Sequence, residues 1–161
     1  MNIKIITIGK IKEVSLKSLI NEYLKRLTKY CKVEILELDD EKIPLNASVA
    51  QEFQIKEKES IKIENKLKKI GKCFVFCLDL KGKNYSSEEF SNKIQSITTY
   101  SDSTLVFVIG GSLGLTNKLV NMCDDTICFS KMTFPHQLIR LFLLEQIFRA
   151  FKIQANETYH K

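Results

Sequence analysis

Apolar residues recur along the chain in two alternating patterns, one typical of strands and the other typical of helices. Continuous apolar runs such as FVFCL, and alternating apolar and charged residues as in KVEILEL, indicate strands. Residues 14–30 instead carry apolar side chains every three or four positions, as on one face of a helix. The predicted strands cover residues 2–9, 32–40, 72–80, 103–111 and 125–130. The predicted helices cover residues 14–30, 49–71, 87–100, 116–123 and 136–153.

Strands that alternate with helices along the chain predict an α/β fold. Because a helix separates each strand from the next, this order favours a mostly parallel sheet flanked by helices. A length of 161 residues fits a single domain over residues 1–161. No apolar run approaches the length of a membrane span, so we expect no membrane partner.

Basic residues outnumber acidic ones, with 25 Lys and Arg against 19 Asp and Glu, which gives a net charge of +6. A positive charge favours an anionic partner such as RNA, DNA or an acidic membrane surface. The chain is also rich in Lys, Ile and Asn, a bias that genome composition can produce without any such partner. Charge alone therefore leaves nucleic-acid binding open.

The chain contains five cysteines, and their spacing matches no zinc-binding pattern. Two of them lie in an apolar run predicted to be a buried strand, where cysteine behaves as a small hydrophobe. We therefore expect all five to be reduced thiols in a cytoplasmic protein, with no metal site. The cysteines are Cys31, Cys73, Cys77, Cys123 and Cys128.

A glycine-rich segment, FVIGGSLGL, follows the fourth predicted strand and contains Gly110, Gly111 and Gly114. Ligands of open α/β sheets bind beyond the carboxyl ends of the strands. The glycine spacing matches neither the dinucleotide fingerprint nor the P-loop. The segment is therefore either a tight strand-to-helix turn or a backbone that approaches a ligand. Leu, Met and Phe in the loops CLDLKG and FSKMTFPH would suit an adenine and a thioether better than a triphosphate.

The last predicted helix is apolar nearly all round, which indicates that it is buried in the core or in a subunit interface. A buried Arg140 would then need a polar partner, and His136 near the helix start is either structural or catalytic. Arg149 follows Glu145 by four residues, so it either forms an ion pair on the helix or serves in a site. The closing Tyr-His is either a frayed end or a pair that stacks on a base and moves protons.

The segments FVIGGSLGL, FSKMTFPHQLIRLFLLEQIFRAFKI and the final YHK together resemble the ribosomal RNA large subunit methyltransferase H family of the SPOUT superfamily. The segments IITIGKIKE and EYLKRL near the start also resemble this family, so the resemblance covers essentially the whole chain. It implies an α/β sheet with a deep trefoil knot in its C-terminal part, and a cytoplasmic homodimer with no DNA partner. Pattern reasoning would not propose a knot, because knotted chains are rare.

The implied activity is methyl transfer from S-adenosyl-L-methionine to N3 of a pseudouridine in 23S rRNA, on the assembled ribosome. This chemistry needs an aligned nucleophile and no metal. A non-enzymatic RNA- or ribosome-binding factor, or a related methyltransferase that acts on tRNA, would also fit the charge and the tail. By resemblance, the residues that bind the cofactor are Leu78, Gly110, Phe129, Ser130, Lys131, Met132, Thr133 and Phe134.

The resemblance further implies three catalytic residues, Arg149, Tyr159 and His160. His160 could accept the N3 proton directly or through water, and Arg149 could stabilise charge on the flanking carbonyl oxygens. Tyr159 could hold the base in position. In a dimer, the tail would complete either its own pocket or that of the partner.

Overall fold

The structure is a computed structural model that describes residues 1–100 and 104–159. Within these residues, five strands alternate with five helices, in the order predicted from the apolar pattern. The strands are β1 (Asn2–Ile8), β2 (Lys32–Leu38), β3 (Phe74–Lys83), β4 (Thr104–Ile109) and β5 (Asp125–Ile127). The helices are α1 (Val14–Leu27), α2 (Val49–Ile70), α3 (Ser87–Tyr100), α4 (Asn117–Met122) and α5 (His136–Gln154).

The five described strands form one sheet, in the order β2-β1-β4-β3-β5, and every described pairing is parallel. The predicted α/β fold with a parallel sheet flanked by helices is therefore confirmed. The register aligns Ile35, Ile5, Phe107 and Phe76 in one row across the sheet. The three central strands bury both faces, which explains why they are continuous apolar runs in the sequence.

Helices cover both faces of the sheet. On one face α1, α3 and α5 pack over β1, β4 and β3, and α5 lies between the other two helices. On the opposite face α2 and α4 contribute Ile63 and Leu119 to a second apolar cluster. Because all strands are parallel, their carboxyl ends meet at one edge of the sheet, where loops from both faces converge.

Local sequence signals fix the ends of α2. Ser48 and Gln51 form a capping box, in which each side chain accepts a hydrogen bond from the backbone N–H of the other residue. Gly71 ends the helix with a φ of 81°, a conformation that favours glycine. This helix therefore starts beside the carboxyl edge of the sheet and presents its first turns to the loops there.

A disulfide joins Cys77 on β3 to Cys123 at the end of α4, with Cα atoms 6.1 Å apart. The prediction that all five cysteines are reduced is wrong for this pair. The two residues are 46 positions apart in the chain, and only the packing of α4 against the face of β3 brings them together. Cys31 and Cys128 are free thiols, as predicted.

Arg140 on α5 is completely buried, and its guanidinium binds the carboxyl ends of two strands. Its Nη2 donates to the carbonyl oxygens of Ile8 (2.9 Å) and Gly9 (2.7 Å), and its Nη1 donates to Glu37 Oε1 (2.8 Å). The polar partner that a buried arginine requires is therefore present. Burial lowers the pKa of Arg140, while the Glu37 carboxylate opposes this shift, and the guanidinium remains charged near neutral pH.

We expect Arg140→Met to lower the free energy of unfolding by about 3–5 kcal/mol, because it leaves the Glu37 carboxylate and two carbonyls without their donor. Urea unfolding followed by circular dichroism measures this loss. Arg26→Met is the matched control, since Arg26 forms an exposed ion pair with Glu22 and should contribute less than about 1 kcal/mol. A loss at Arg140 no larger than the control would contradict the central role of this contact.

Candidate active site

The second half of β3 and the loops that follow β4 and β5 enclose a cavity of about 390 Å³ at the carboxyl edge of the sheet. This cavity is called the edge cavity below. Sequence alone could not show that the three segments converge, and the structure brings them together. Lys131 lies exposed in the loop after β5 and is not among the lining residues. The other seven residues predicted to bind the cofactor line the edge cavity: Leu78, Gly110, Phe129, Ser130, Met132, Thr133 and Phe134.

The glycine segment forms a tight turn in which Gly114 N–H donates to the carbonyl oxygen of Gly111 (3.0 Å). A Cβ atom on Gly110 would lie 2.9 Å from the carbonyl carbon of Gly114, and one on Gly111 would lie 2.7 Å from Glu59 Oε2. Both distances are shorter than real Cβ contacts. The turn therefore needs glycine for its own packing, while its other side lines the edge cavity. The tight turn is therefore present, and the approach of this backbone to a ligand stays a prediction.

Glu59 supports the glycine turn from α2 and was missed in the sequence. Its side chain is only 4% exposed, and its Oε1 accepts a hydrogen bond from the Glu41 N–H (3.0 Å). Burial raises the pKa of Glu59, and this hydrogen bond opposes the shift. A signal was available, because Glu59 stands between Ile55 and Ile63 at four-residue spacing, on the buried stripe of an otherwise charged helix. One turn earlier, Lys56 lines the edge cavity.

His136 begins α5 and lines the edge cavity. Its Nε2 would lie 3.6 Å from a Cβ atom on Gly9, so the imidazole packs against the end of β1. Burial and the nearby Arg140 guanidinium lower the pKa of His136 below its usual 6.5, although the Asp40 carboxylate opposes them. His136 is therefore neutral at pH 7 and can both donate and accept a hydrogen bond.

Arg149 and Tyr159 meet at the other end of α5. Glu145 Oε1 accepts hydrogen bonds from Arg149 Nη2 (2.6 Å) and Nε (3.0 Å), so the ion pair expected from their spacing is present. The Tyr159 ring lies under the Arg149 guanidinium, with its centroid 4.9 Å from Cζ, so the tail is packed against the helix at this residue. His160 lies outside the described residues. Arg149 is ten residues beyond Ile139, or about 15 Å along the helix from the edge cavity.

The family model of the predicted SPOUT methyltransferases matches residues 1–160. The chain belongs to the SPOUT methyltransferase family. It is 53% identical, over the full length of both chains, to the ribosomal RNA large subunit methyltransferase H proteins of Clostridium perfringens and Clostridium acetobutylicum. It is 54% identical to the protein of the same name from Clostridium botulinum, again over the full length of both. The resemblance drawn from the sequence motifs is confirmed.

Solved structures share the fold of this SPOUT methyltransferase. A probable methylase family protein from Haemophilus influenzae superposes with a TM-score of 0.57 at 14% identity, covering 99% of this chain and 70% of that one. A probable methyltransferase from Bordetella pertussis superposes with a TM-score of 0.53 at 10% identity, covering 92% and 95%. At such identities the likeness concerns the fold alone.

Over residues 1–100 and 104–159, no helix is long and apolar enough to cross a membrane. In the same ranges, no three His, Cys, Asp or Glu side chains are grouped so that they could hold a metal ion. The edge cavity offers mostly glycine backbone, apolar side chains and a few hydroxyls, and its polar side chains also include Lys56, Asp79, Lys81 and His136. Such a lining suits a flat, largely apolar ligand that is oriented by a few hydrogen bonds.

We expect His136 to make stability depend on pH between about 7 and 5. Because its folded-state pKa lies below 6.5, the unfolded chain binds the proton more readily. The stability from neutral His136 is complete above pH 6.5 and is lost as the pH falls toward the folded-state pKa. Urea unfolding at pH 7.5 and 5.5 should show that the stability difference between wild type and His136→Gln shrinks at the lower pH. A constant difference would contradict the depressed pKa.

Proposed function

We propose that this SPOUT methyltransferase methylates N3 of a pseudouridine in 23S rRNA, on the assembled ribosome in the cytoplasm, with S-adenosyl-L-methionine as methyl donor. One observation carries the proposal: seven of the eight residues predicted to bind this donor come from three separate segments of the chain and line one cavity. The full-length identity of 53% to proteins named ribosomal RNA large subunit methyltransferase H supports the choice of substrate.

The edge cavity fits the donor in size and in chemistry. Its volume of about 390 Å³ lies within the range of small-molecule sites. Leu78, Phe129 and Met132 would contact the adenine and the thioether, and the backbone beside Gly110 would supply hydrogen bonds. Ser130 and Thr133 would add hydroxyl groups from the loop after β5. Bound there, S-adenosyl-L-methionine would supply an electrophilic methyl group, which requires only an aligned nucleophile.

The residues at the end of α5 and in the tail would act on the target base. As a bond forms between N3 and the methyl carbon, the bond from that carbon to the donor sulfur would break, and S-adenosyl-L-homocysteine would leave. The N3 proton must also leave, and His160 would accept it directly or through water. Arg149 would stabilise negative charge on the neighbouring carbonyl oxygens of the base. Tyr159 would hold the base in place; burial, a hydrogen bond with Tyr23 and the nearby Glu145 carboxylate raise its pKa to about 12, so its hydroxyl stays protonated.

The active enzyme would be a homodimer with a knotted chain. Leu138, Phe142, Phe134 and Met132 are exposed apolar side chains of α5 and the loop before it, and they would supply a subunit interface. The trefoil knot would form where the chain leaves β5. There the Cys128 N–H donates to the carbonyl oxygen of Lys83 (2.9 Å), and a Cβ on Gly82 would lie 2.7 Å from the carbonyl carbon of Ile127. These contacts hold the chain that leaves β5 against the end of β3.

Deleting the gene should remove one methyl group from one pseudouridine of 23S rRNA, as measured by mass spectrometry of nuclease digests. The wild-type gene should restore this methyl group, whereas Arg149→Ala should restore less than a tenth of it. Purified protein should methylate ribosomes from the deletion strain. Unchanged 23S rRNA in the deletion strain would refute the proposed substrate, and methylation of tRNA instead would identify a related enzyme.

Gly110→Ala should weaken the binding of S-adenosyl-L-methionine at least about tenfold in calorimetry, because the new Cβ displaces the turn at Gly114 that lines the cavity. Gly71→Ala is the matched control. It introduces a side chain at a φ of 81° with nothing within 4 Å, at the far end of α2, so it should change stability and not donor affinity. Equal donor affinity in wild type and Gly110→Ala would show that this loop does not contact the donor.

A further inference from the structure

Glu145 is the centre of a chain of hydrogen bonds that joins the tail to the start of α3. Its Oε1 accepts from Arg149 and from the Tyr159 hydroxyl (3.3 Å), and its Oε2 accepts from Gln146 Nε2 (2.7 Å). Gln146 Oε1 in turn accepts from the Ser87 hydroxyl (2.8 Å), at the first residue of α3. One carboxylate therefore contacts both described residues that the proposed function places at the target base.

The arrangement does more than pair two charges. An ion pair at i,i+4 on a partly exposed helix contributes little to stability. Here, however, the guanidinium that binds Glu145 also covers the Tyr159 ring, and that ring packs edge-on against Phe148 at a centroid distance of 5.1 Å. The Glu145 side chain thus fixes the direction of the guanidinium and the position of the ring at the same time.

Part of this group, including Glu145, also faces a cavity next to the edge cavity. Glu145, Gln146 and Phe142 line this second cavity, which has a volume of about 430 Å³ and shares Phe129 and Ser130 with the edge cavity. The carboxylate therefore lies between this second cavity and the end of α5 that carries Arg149.

We propose that Glu145 is a positioning residue for methyl transfer: it holds the Arg149 guanidinium and the Tyr159 ring as one unit against the target base. The proposal rests on the proposed function, because it requires Arg149 and Tyr159 to act on that base. Glu145 touches neither donor nor base. Its removal should therefore lower kcat and leave donor binding unchanged, since a misplaced group of this kind costs about 10- to 100-fold in rate.

The test compares Glu145→Ala, Glu145→Gln, Arg149→Ala and the Glu145→Ala/Arg149→Ala double variant. It uses full-length protein and ribosomes from the deletion strain, with labelled S-adenosyl-L-methionine. Glu145→Ala should lose about 10- to 100-fold in kcat, with the calorimetric donor affinity within about twofold of wild type. Glu145→Gln keeps an acceptor oxygen at the same length and should recover most of the rate. Because Glu145 acts through Arg149, the double variant should be no slower than Arg149→Ala.

Nuclear magnetic resonance gives an independent readout. The chain has three arginines, Arg26, Arg140 and Arg149, so the Nε–Hε signal of Arg149 can be assigned by substitution. This signal should shift and lose intensity in Glu145→Ala and remain in Glu145→Gln. Glu22→Ala is the matched control, because it removes the i,i+4 partner of Arg26 on α1 and should leave kcat and the Arg149 signal unchanged.

The outcomes separate the two proposals. A wild-type rate in Glu145→Ala together with a slow Arg149→Ala would overturn the positioning role and leave the proposed function standing. Additive losses in the double variant would also overturn it, since they would show that Glu145 acts independently of Arg149. A wild-type rate in Arg149→Ala would overturn the proposed role of Arg149 at the base, and the positioning role with it.

Discussion

The buried guanidinium of Arg140 sets the geometry of the carboxyl edge of the sheet. An arginine cannot lose its charge inside a protein, so burial forces it to find acceptors, and it finds the last carbonyls of β1 together with Glu37 of β2. Glu37 Oε1 also lies 3.3 Å from the N–H of Ile11, which extends the contact to the chain after β1. This network anchors the first turn of α5 over the sheet edge. His136 and the loop that precedes it are anchored with that turn, and they form one wall of the edge cavity.

The spacing of apolar residues predicts the strands and helices because buried positions require apolar side chains. Strands buried on both faces must be apolar throughout, so β1, β3 and β4 were predicted within a few residues of their ends. The predicted strand ends are wrong where pairing with a neighbouring strand determines the end. β3 extends to Lys83, beyond its predicted end, because Lys83 pairs with Ile127, and β5 ends at Ile127 once that pairing is complete. The strand order and the Cys77–Cys123 bond depend on contacts between distant segments, which no local pattern contains.

The candidate site was predictable in its parts and not in its assembly. Glycines and apolar residues at three strand ends indicated an adenine-like ligand, and the family resemblance selected the residues, but neither could show one shared cavity. Gly110 and Gly111 illustrate the difference. Sequence offered a turn or a ligand contact as alternatives, whereas the structure has a turn held against Glu59 on one side and open to the cavity on the other. The sequence analysis does not predict that Glu59 is buried, because charged helices are usually solvated. Glu59 nevertheless lies on the apolar stripe of α2.

The length of α5 bears on the proposed homodimer. Ile139 at the edge cavity and Arg149 at the tail are about 15 Å apart along one rigid helix, whereas methyl transfer requires reacting atoms within about 3.5 Å of each other. The exposed Phe142 lies between these two residues. In a two-fold dimer, a symmetry axis beside Phe142 would set the Ile139 turn of one helix opposite the Glu145 to Arg149 turn of the other, because the axis reverses the helix direction. The donor site of one chain would then lie beside the tail of the other chain, although the donor site and the tail of the same chain lie far apart.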